Sequence, residues 1–386
     1  MMSRKIGKPT ILVTSASGKT GRETALQLLR HGLNVRAFVR RQDARSRLLA
    51  DAGAEVFVGN QFSLSDMRRA MTGAQRAYHC APAAPYATHF GAVFLVAARE
   101  ARLEHIVTLG QWLADPGHTS MATRETWLVE RLLTDLPDTT WTINNVGWFA
   151  DNYFLVLKAA AQLGVLPMPL GPPDFRGNAP PSNRDIGAVN AAALADPAQH
   201  AGQTYRPTGP RLVSNEEIAR AIGDALGRRV RYMNIPEWMF LRALRAERRG
   251  EFIMTQLLTY TRDYRDGAFA VGAPNTDFET ATGRPPDDLK TIAASYVNQP
   301  EAKRTVANRI GAWLLMSKIL FTRTPDVQAI EHLRDHPMID PMRRAMDLST
   351  WRATHEPQPD ATPRLRHDDG RRPQITPLRS ATGEAG

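Results

Sequence analysis

Short apolar, β-branched segments alternate with longer amphipathic segments along the first 150 residues. The short segments have the composition of buried strands, and the longer ones carry apolar residues at helical spacing. This alternation predicts a parallel sheet with helices on both faces, and right-handed crossovers make it doubly wound. The predicted strands are residues 10–14, 34–39, 55–58, 76–79, 105–108 and 140–144, and the predicted helices are 20–31, 43–52, 64–71, 88–101 and 120–135.

The pattern is looser after residue 150. A helix is predicted over 153–163, and the Pro- and Gly-rich segment 166–183 is predicted to be a loop. Ser214 and Glu217 are spaced as a capping box, which predicts a helix over 215–226. Pro236 opens a further predicted helix that runs through Arg249.

The composition excludes several kinds of protein and of site. The net charge is +10, and Cys80 is the one cysteine, which excludes an intrachain disulfide and a multi-cysteine metal site. No apolar run approaches the ~18 residues that span a bilayer, and no signal peptide is recognisable. We therefore expect no transmembrane segment and a reducing, cytoplasmic setting.

The positive charge is concentrated near the N-terminus. Residues 1–50 hold eleven Lys and Arg residues against two acids. Such a segment suits a phosphate-bearing partner, either a nucleic acid or a phosphorylated cofactor, although single arginines also occur on solvated helix faces.

The strongest chemical signal is the segment ILVTSASGKTG at residues 11–21. A buried strand enters a turn of small residues, and a helix begins directly after it. Unpaired N–H groups and the helix dipole favour an anion at such a start, and Gly18 and Gly21 would allow close approach of a pyrophosphate and close helix packing. The segment predicts dinucleotide binding by Ser15, Ala16, Ser17, Gly18, Lys19, Thr20 and Gly21.

The end of the second predicted strand indicates which dinucleotide is bound. NAD-binding sheets usually carry an acid there for the ribose 2′-hydroxyl. In this chain the strand ends in Arg40 and Arg41, and the first acid is Asp43. Because a guanidinium pairs well with phosphate, Arg40 predicts NADP(H) in preference to NAD(H).

Several segments together resemble the NmrA-like family of atypical short-chain dehydrogenases over about residues 9–298. They are SASGKTG at 15–21, VRAFVR at 35–40, Gly59-Asn60, TRETWLVERLL at 123–133 and GRPP at 283–286. The resemblance implies an NADP-binding Rossmann domain and a small lobe over its cleft. The family includes NADPH-dependent quinone and azo reductases and non-catalytic redox-sensing regulators.

Two positions depart from the family pattern. Ser15 replaces the first loop glycine, which would lower cofactor affinity if the turn requires a positive φ. Asn60 replaces the acid of a Gly-Asp turn, and its amide could still bond to an adenine edge. Further predicted cofactor contacts are Gln61 and, at the carboxyl ends of later strands, Ala81, Pro82 and Gly110.

The Tyr-x-x-x-Lys pair of ordinary short-chain dehydrogenases is absent, because no lysine has a tyrosine four residues before it. The resembling segment carries Thr126 and Glu130 instead, which disfavours conventional alcohol–ketone chemistry. Quinones, azo bonds and activated alkenes accept hydride without that pair. The weak catalytic candidates are His79, Tyr86, His118 and Tyr153, and residues of these types in such positions more often have a structural role.

Other titratable groups are given structural roles. We expect Cys80 to be a small buried apolar residue and Glu130 to be a solvated or salt-bridged helix residue. His332 and His336 are four residues apart, but Leu333 stands where a hydrolytic zinc helix needs Glu, so no metal is predicted.

Two functions remain open: a reductase of small conjugated electrophiles, and a non-catalytic NADP(H) sensor that acts through a protein partner. We do not expect direct nucleic-acid binding. The predicted fold class is α/β, a doubly wound parallel Rossmann sheet with a small α/β C-terminal substrate lobe and a helical C-terminal extension. The predicted divisions are residues 1–150 for the Rossmann domain, 151–300 for the interleaved lobe, 301–353 for the extension and 354–386 for a disordered tail.

Overall fold

A computed structural model describes residues 8–82, 84–327, 329–330 and 342–356. Strands occur in two groups. The first group comprises β1 (Thr10–Val13), β2 (Asn34–Val39), β3 (Glu55–Val58), β4 (Arg76–His79), β5 (His105–Gln111), β6 (Thr140–Val146) and β8 (Gln203–Tyr205), and the second comprises β7 (Val165–Met168) and β9 (Arg231–Asn234).

The first group forms one parallel sheet in the order β3-β2-β1-β4-β5-β6-β8. The strand order reverses between β1 and β4, and open α/β sheets bind ligands at the carboxyl ends of the strands beside such a reversal. The doubly wound parallel fold predicted from the sequence is therefore confirmed, and it places the segment after β1 at the expected ligand edge.

Helices cover both faces of the sheet. The helices before residue 200 are α1 (Lys19–Arg30), α2 (Ala44–Asp51), α3 (Leu64–Met71), α4 (Ala87–Ala101), α5 (Met121–Thr134), α6 (Leu157–Leu163), α7 (Asn183–Ala195) and α8 (Pro197–His200). Those after it are α9 (Asn215–Ala225), α10 (Glu237–Ala246), α11 (Glu251–Arg265), α12 (Asp277–Thr282), α13 (Leu289–Tyr296), α14 (Val306–Phe321) and α15 (Ser349–His355).

The region after residue 150 differs from its prediction in several elements. The predicted helix over 153–163 is a 3₁₀ helix (Ala150–Val156) followed by α6. The predicted loop over 166–183 begins with β7, which pairs with β9, and ends at the first residue of α7. Proline is tolerated in β7 because the sheet has only two strands, both of which are edges. The capping box of Ser214 and Glu217 is confirmed.

Two elements missed in the sequence return the chain to the main sheet. Helix α7 packs against α1, and β8 extends the sheet beside β6. Nine of the thirteen residues of α7 are buried. A helix buried nearly all round shows no polar face, so its period is hard to recognise.

The C-terminal part of the described chain also packs on the core. The Trp351 indole N–H donates to the Trp112 carbonyl over 2.7 Å, and Thr350 donates to Asp115 over 2.6 Å. His355 is buried within α15, so the predicted start of disorder at residue 354 is wrong. Residues 357–386 lie outside the described part.

Candidate functional site

The turn between β1 and α1 is tightly built. Ser15 has φ +48°, in the left-handed region, and its carbonyl accepts a hydrogen bond from the Gly18 N–H over 2.8 Å. A Cβ on Gly21 would lie 2.5 Å from the Ser15 carbonyl oxygen. Glycine is therefore required at position 21 for α1 to approach the turn so closely.

Helix α1 begins without a side-chain cap. Gly18 is its N-cap residue, no side chain accepts from the first N–H groups, and the first turn contains no acid. The N-terminal dipole and the uncapped N–H groups make this end a ready site for an anion.

A cavity of about 470 Å³ opens at this helix start. On one side it is lined by Ser17, Gly18, Lys19, Arg22 and Arg45. On the opposite side residues of the C-terminal lobe close it, among them Asp151, Asn183, Arg184, Ser295 and Tyr296. The volume lies within the range of small-molecule sites.

Lys19 connects the two sides of this cavity. Its ammonium donates to the Asp151 carboxylate, which also accepts the Tyr296 hydroxyl over 2.6 Å. The Lys19 side chain is 61% exposed, whereas that of Asp151 is 9% exposed. Asp151 was missed in the sequence because its partner is 132 positions away, and no local pattern marks it.

The same turn contacts the ends of two other strands. The Ser15 hydroxyl lies 2.9 Å from the Cys80 carbonyl oxygen and 3.2 Å from Gln61 Oε1. The turn, the segment after β3 and the segment after β4 therefore converge, which brings Gln61 and the neighbours of Cys80, namely Ala81 and Pro82, to one edge. Although Ser15 replaces a glycine at a positive φ, its hydroxyl gains polar contacts that glycine cannot make.

Arg40 follows β2 at the same edge. It is exposed, and it has no ion-pair partner among the described residues, whereas Arg41 and Arg45 both pair with Asp43. Asn60 is engaged in its own turn, where its side-chain oxygen accepts the Phe62 N–H over 3.0 Å. Arg40 is thus a cation available to an anionic group at this end.

The carboxyl end of β5 is occupied differently. Gly110 is buried, and a Cβ there would lie 2.4 Å from Glu130 Oε1. Glu130 is 3% exposed, and burial raises the pKa of its carboxyl to about 8, although a hydrogen bond from the Gln111 N–H and the charges of Arg131 and Arg206 oppose that rise. The expectation of a solvated or salt-bridged Glu130 is wrong.

Three of the four catalytic candidates are buried. His79 packs on Phe90 and Phe94, and burial lowers the pKa of its imidazole to about 3. His118 has Nε2 3.4 Å from Asp263 Oδ2. Tyr153 accepts a hydrogen bond from the Asn178 amide over 3.1 Å, and burial raises the pKa of its phenol.

Tyr86 is the exposed candidate, at 69%, with φ +76° just before α4. Cys80 is buried, and burial raises the pKa of its thiol, so the thiolate that reacts is disfavoured. Within the described ranges no group of three His, Cys, Asp or Glu residues could hold a metal ion, and His332 and His336 fall outside those ranges. No helix in the same ranges is long and apolar enough to cross a membrane.

The sequence that forms this site matches a known protein family. The model of the NmrA-like family matches residues 7–270. The chain belongs to the NmrA-like family. The match includes the turn after β1 and the convergent strand ends, and it ends before α12 and α13, so Ser295 and Tyr296 of the cavity lie outside it.

Three known proteins illustrate what this NmrA-like chain is similar to in sequence or in fold. An NAD(P)H azoreductase of Xenophilus azovorans is 28% identical over 238 residues, which are 58% of this chain and 77% of that protein. A solved NADPH-dependent quinone oxidoreductase of Escherichia coli, in complex with NADPH, has a TM-score of 0.64 at 21% identity and covers 75% of this chain and 100% of its own. NmrA, a negative transcriptional regulator solved with NADP, has a TM-score of 0.51 at 17% identity and covers 79% and 98%.

Proposed function

We propose that this NmrA-like protein binds a nicotinamide dinucleotide, with NADP(H) preferred over NAD(H), and reduces small conjugated electrophiles of the quinone or azo type. The observation that carries the proposal is the start of α1. It combines an uncapped helix N-terminus, an obligatory Gly21 and a cavity of about 470 Å³. These features suit a diphosphate group, so the chain's residues fit the cofactor that its family implies.

Each part of the dinucleotide has matching residues. The N–H groups around Gly18 would hold the diphosphate. Lys19 and Arg22 line the same cavity, where they pair with Asp151 and Glu23, and either cation would reach the diphosphate by giving up its ion pair. Arg40 would pair with a 2′-phosphate, which is the basis of the preference for NADP(H). Gln61 and Ala81 lie where the turn meets the neighbouring strand ends, and we expect them to contact the remaining part of the cofactor.

The protein's own contribution to the reaction is binding and orientation. Once bound, the nicotinamide cofactor supplies a hydride. Glu130 stands where ordinary short-chain dehydrogenases carry lysine, and a carboxyl there cannot lower the pKa of a neighbouring hydroxyl. Because quinones and azo compounds delocalise the charge left by reduction, water can complete the protonation. The chain therefore needs to position the acceptor and need not activate it.

The relatives support the substrate class. The azoreductase and the quinone oxidoreductase act on acceptors of this conjugated kind, as their names state. A second function, a non-catalytic NADP(H) sensor with a protein partner, is favoured by one observation: three of the four candidate proton donors are buried. The NmrA regulator shows that a similar fold is compatible with that role.

Turnover distinguishes the two functions. The full chain with NADPH is mixed with a panel of quinones and azo dyes, and the loss of NADPH absorbance is followed. The reductase proposal expects enzyme-dependent consumption with at least one acceptor and slower consumption with NADH. NADPH binding without consumption across the panel would contradict the reductase and favour the sensor.

A further inference from the structure

We propose that the outer face of α14 binds the surface of a membrane that contains anionic lipids. The helix lies beyond the residues matched by the family model, so the surface belongs to this chain's own extension. The inference is independent of the proposed reductase activity.

The first support is an unusual concentration of exposed apolar side chains. Fourteen large apolar side chains are exposed in the described part of the chain, and six of them lie on α14. Trp313 is 61% exposed and Phe321 is 90% exposed. Contiguous apolar surface of this kind marks an interaction site. The six residues are Val306, Ile310, Trp313, Leu314, Leu320 and Phe321.

The six side chains share one face. At 3.6 residues per turn they fall within an arc of about 120°. The opposite face carries Ala312 and Ile319, which are buried against the body of the protein, where α14 contacts α6 and α10. The helix is therefore held in place by one apolar side and presents a second apolar side outward.

The helix and its immediate flanks are basic, with Glu301 and Asp326 as the nearest acids in sequence on either side. Residues 303–323 contain five basic residues and no acid. Arg309 and Lys318 lie at the two borders of the apolar arc by helical position, and the Lys318 ammonium donates to the Ala246 carbonyl of the protein body. Near the end of α14, Arg242 donates to Thr324 over 2.8 Å, and its guanidinium lies 4.8 Å from the ring centre of half-exposed Trp238. An aromatic and apolar face bordered by Lys and Arg suits a lipid surface that carries negative charge.

The same charge argues for a lipid surface as the occupant. Two copies of the chain that met through this face would bring two predominantly basic borders together, and like charges oppose that contact. An anionic bilayer supplies both the apolar layer and the negative charge. No helix in the described ranges is long and apolar enough to cross a membrane, so α14 would lie flat at the surface.

Vesicle flotation tests this proposal with the full chain. We expect the protein to float with phosphatidylcholine–phosphatidylglycerol vesicles, to bind pure phosphatidylcholine far less, and to be released by salt. The double variant Trp313→Glu/Leu314→Glu should bind at least about tenfold more weakly, because charged side chains are costly in an interface. Arg304→Gln and Arg309→Gln should each weaken binding about fivefold.

A matched control separates the face from general surface effects. The variant Leu128→Glu/Leu132→Glu makes the same change at two exposed leucines of α5 and should float like the parent protein. Circular dichroism melting confirms that both double variants fold. Equal flotation of the α14 variant and the parent would overturn the proposal. Failure of the parent protein to bind anionic vesicles would also overturn the proposal. That outcome includes a parent protein that does not bind vesicles but forms a dimer, which the α14 variant loses.

Discussion

The two ends of the strand edge that forms the ligand crevice are built in opposite ways. At the β1 end the chain presents an uncapped helix start, half-exposed Lys19 and exposed Arg40. At the β5–β6 end it buries Trp112, Glu130 and Tyr153, and burial holds the pKa values of the two acidic groups above their ordinary range. One end presents N–H groups and cations to an anion, and the other holds its polar side chains out of solvent.

This difference separates binding from proton transfer. Groups that bind phosphate must keep charge and access to solvent, and those at the β1 end do so. Groups that move protons need a pKa near the working pH and a path to the substrate. His79 and Tyr153 are buried, and burial moves the pKa of each far from neutral. Glu130 has a pKa of about 8 but is buried as well. The account therefore predicts large effects from changes at the turn and small effects from changes among the buried phenols.

Gly21→Ala should produce the largest combined effect on stability and cofactor binding. The added Cβ would lie 2.5 Å from the Ser15 carbonyl oxygen, so the turn must shift. We expect the free energy of unfolding to fall by about 1–3 kcal/mol, because the cost of the close contact is larger than the gain from the helix preference of Ala. NADPH affinity should fall about tenfold or more. Urea unfolding and calorimetric titration measure the two quantities. Gly250→Ala is the control, because a Cβ there meets open space; equal losses in both variants would refute the close-packing argument.

Glu130 should make stability depend on pH. Its pKa is raised from 4.5 to about 8 in the folded protein, so the folded state binds a proton that the unfolded state has lost. Stability should therefore fall as pH rises between those values, by up to about 1.4 kcal/mol for each pH unit.

Glu130→Gln resembles the protonated carboxyl and should remove this slope, so that the variant is the more stable protein above pH 8. Urea midpoints at a series of pH values test this. If the parent and the variant show the same pH dependence, the carboxyl at position 130 is not held neutral.

Tyr153→Phe should have the smallest effect. The hydroxyl accepts from Asn178 and lies 3.3 Å from the Tyr264 hydroxyl in a buried cluster. Its loss should lower the free energy of unfolding by about 1 kcal/mol and leave the rate of acceptor reduction unchanged. A collapse of the rate in a variant that still melts near the parent would make Tyr153 the proton donor and break the contrast between the two ends.

The strands and helices of the first 150 residues were predictable because their patterns are local. Strands β2 and β4 match their predicted bounds. The small residues before Gly18 indicate the turn in the sequence itself. Helix α7 was not predictable in this way, because burial on nearly every side removes its polar face. Strand β8, with three residues, is too short to show an alternation.

The residues of the site differ in the same way, because some follow from a local pattern and others only from the folded chain. The residues of the turn form one continuous segment, whereas Asp151 reaches Lys19 only through the folded lobe. Glu130 looks like an ordinary helix glutamate in the sequence. Its burial follows from Gly110, whose missing side chain leaves room for the carboxyl, and that relation exists only once β5 and α5 pack together.

Calorimetric titration of the full chain with NADPH and with NADH tests the central claim most directly, with Arg40→Asp measured beside it and Arg47→Asp as the charge-matched control. The account predicts that the parent binds NADPH more tightly than NADH. Arg40→Asp should lose about 10- to 100-fold in NADPH affinity and little in NADH affinity, and Arg47→Asp should bind like the parent. Absence of heat from both nucleotides, or an equal loss for both in Arg40→Asp, would contradict it.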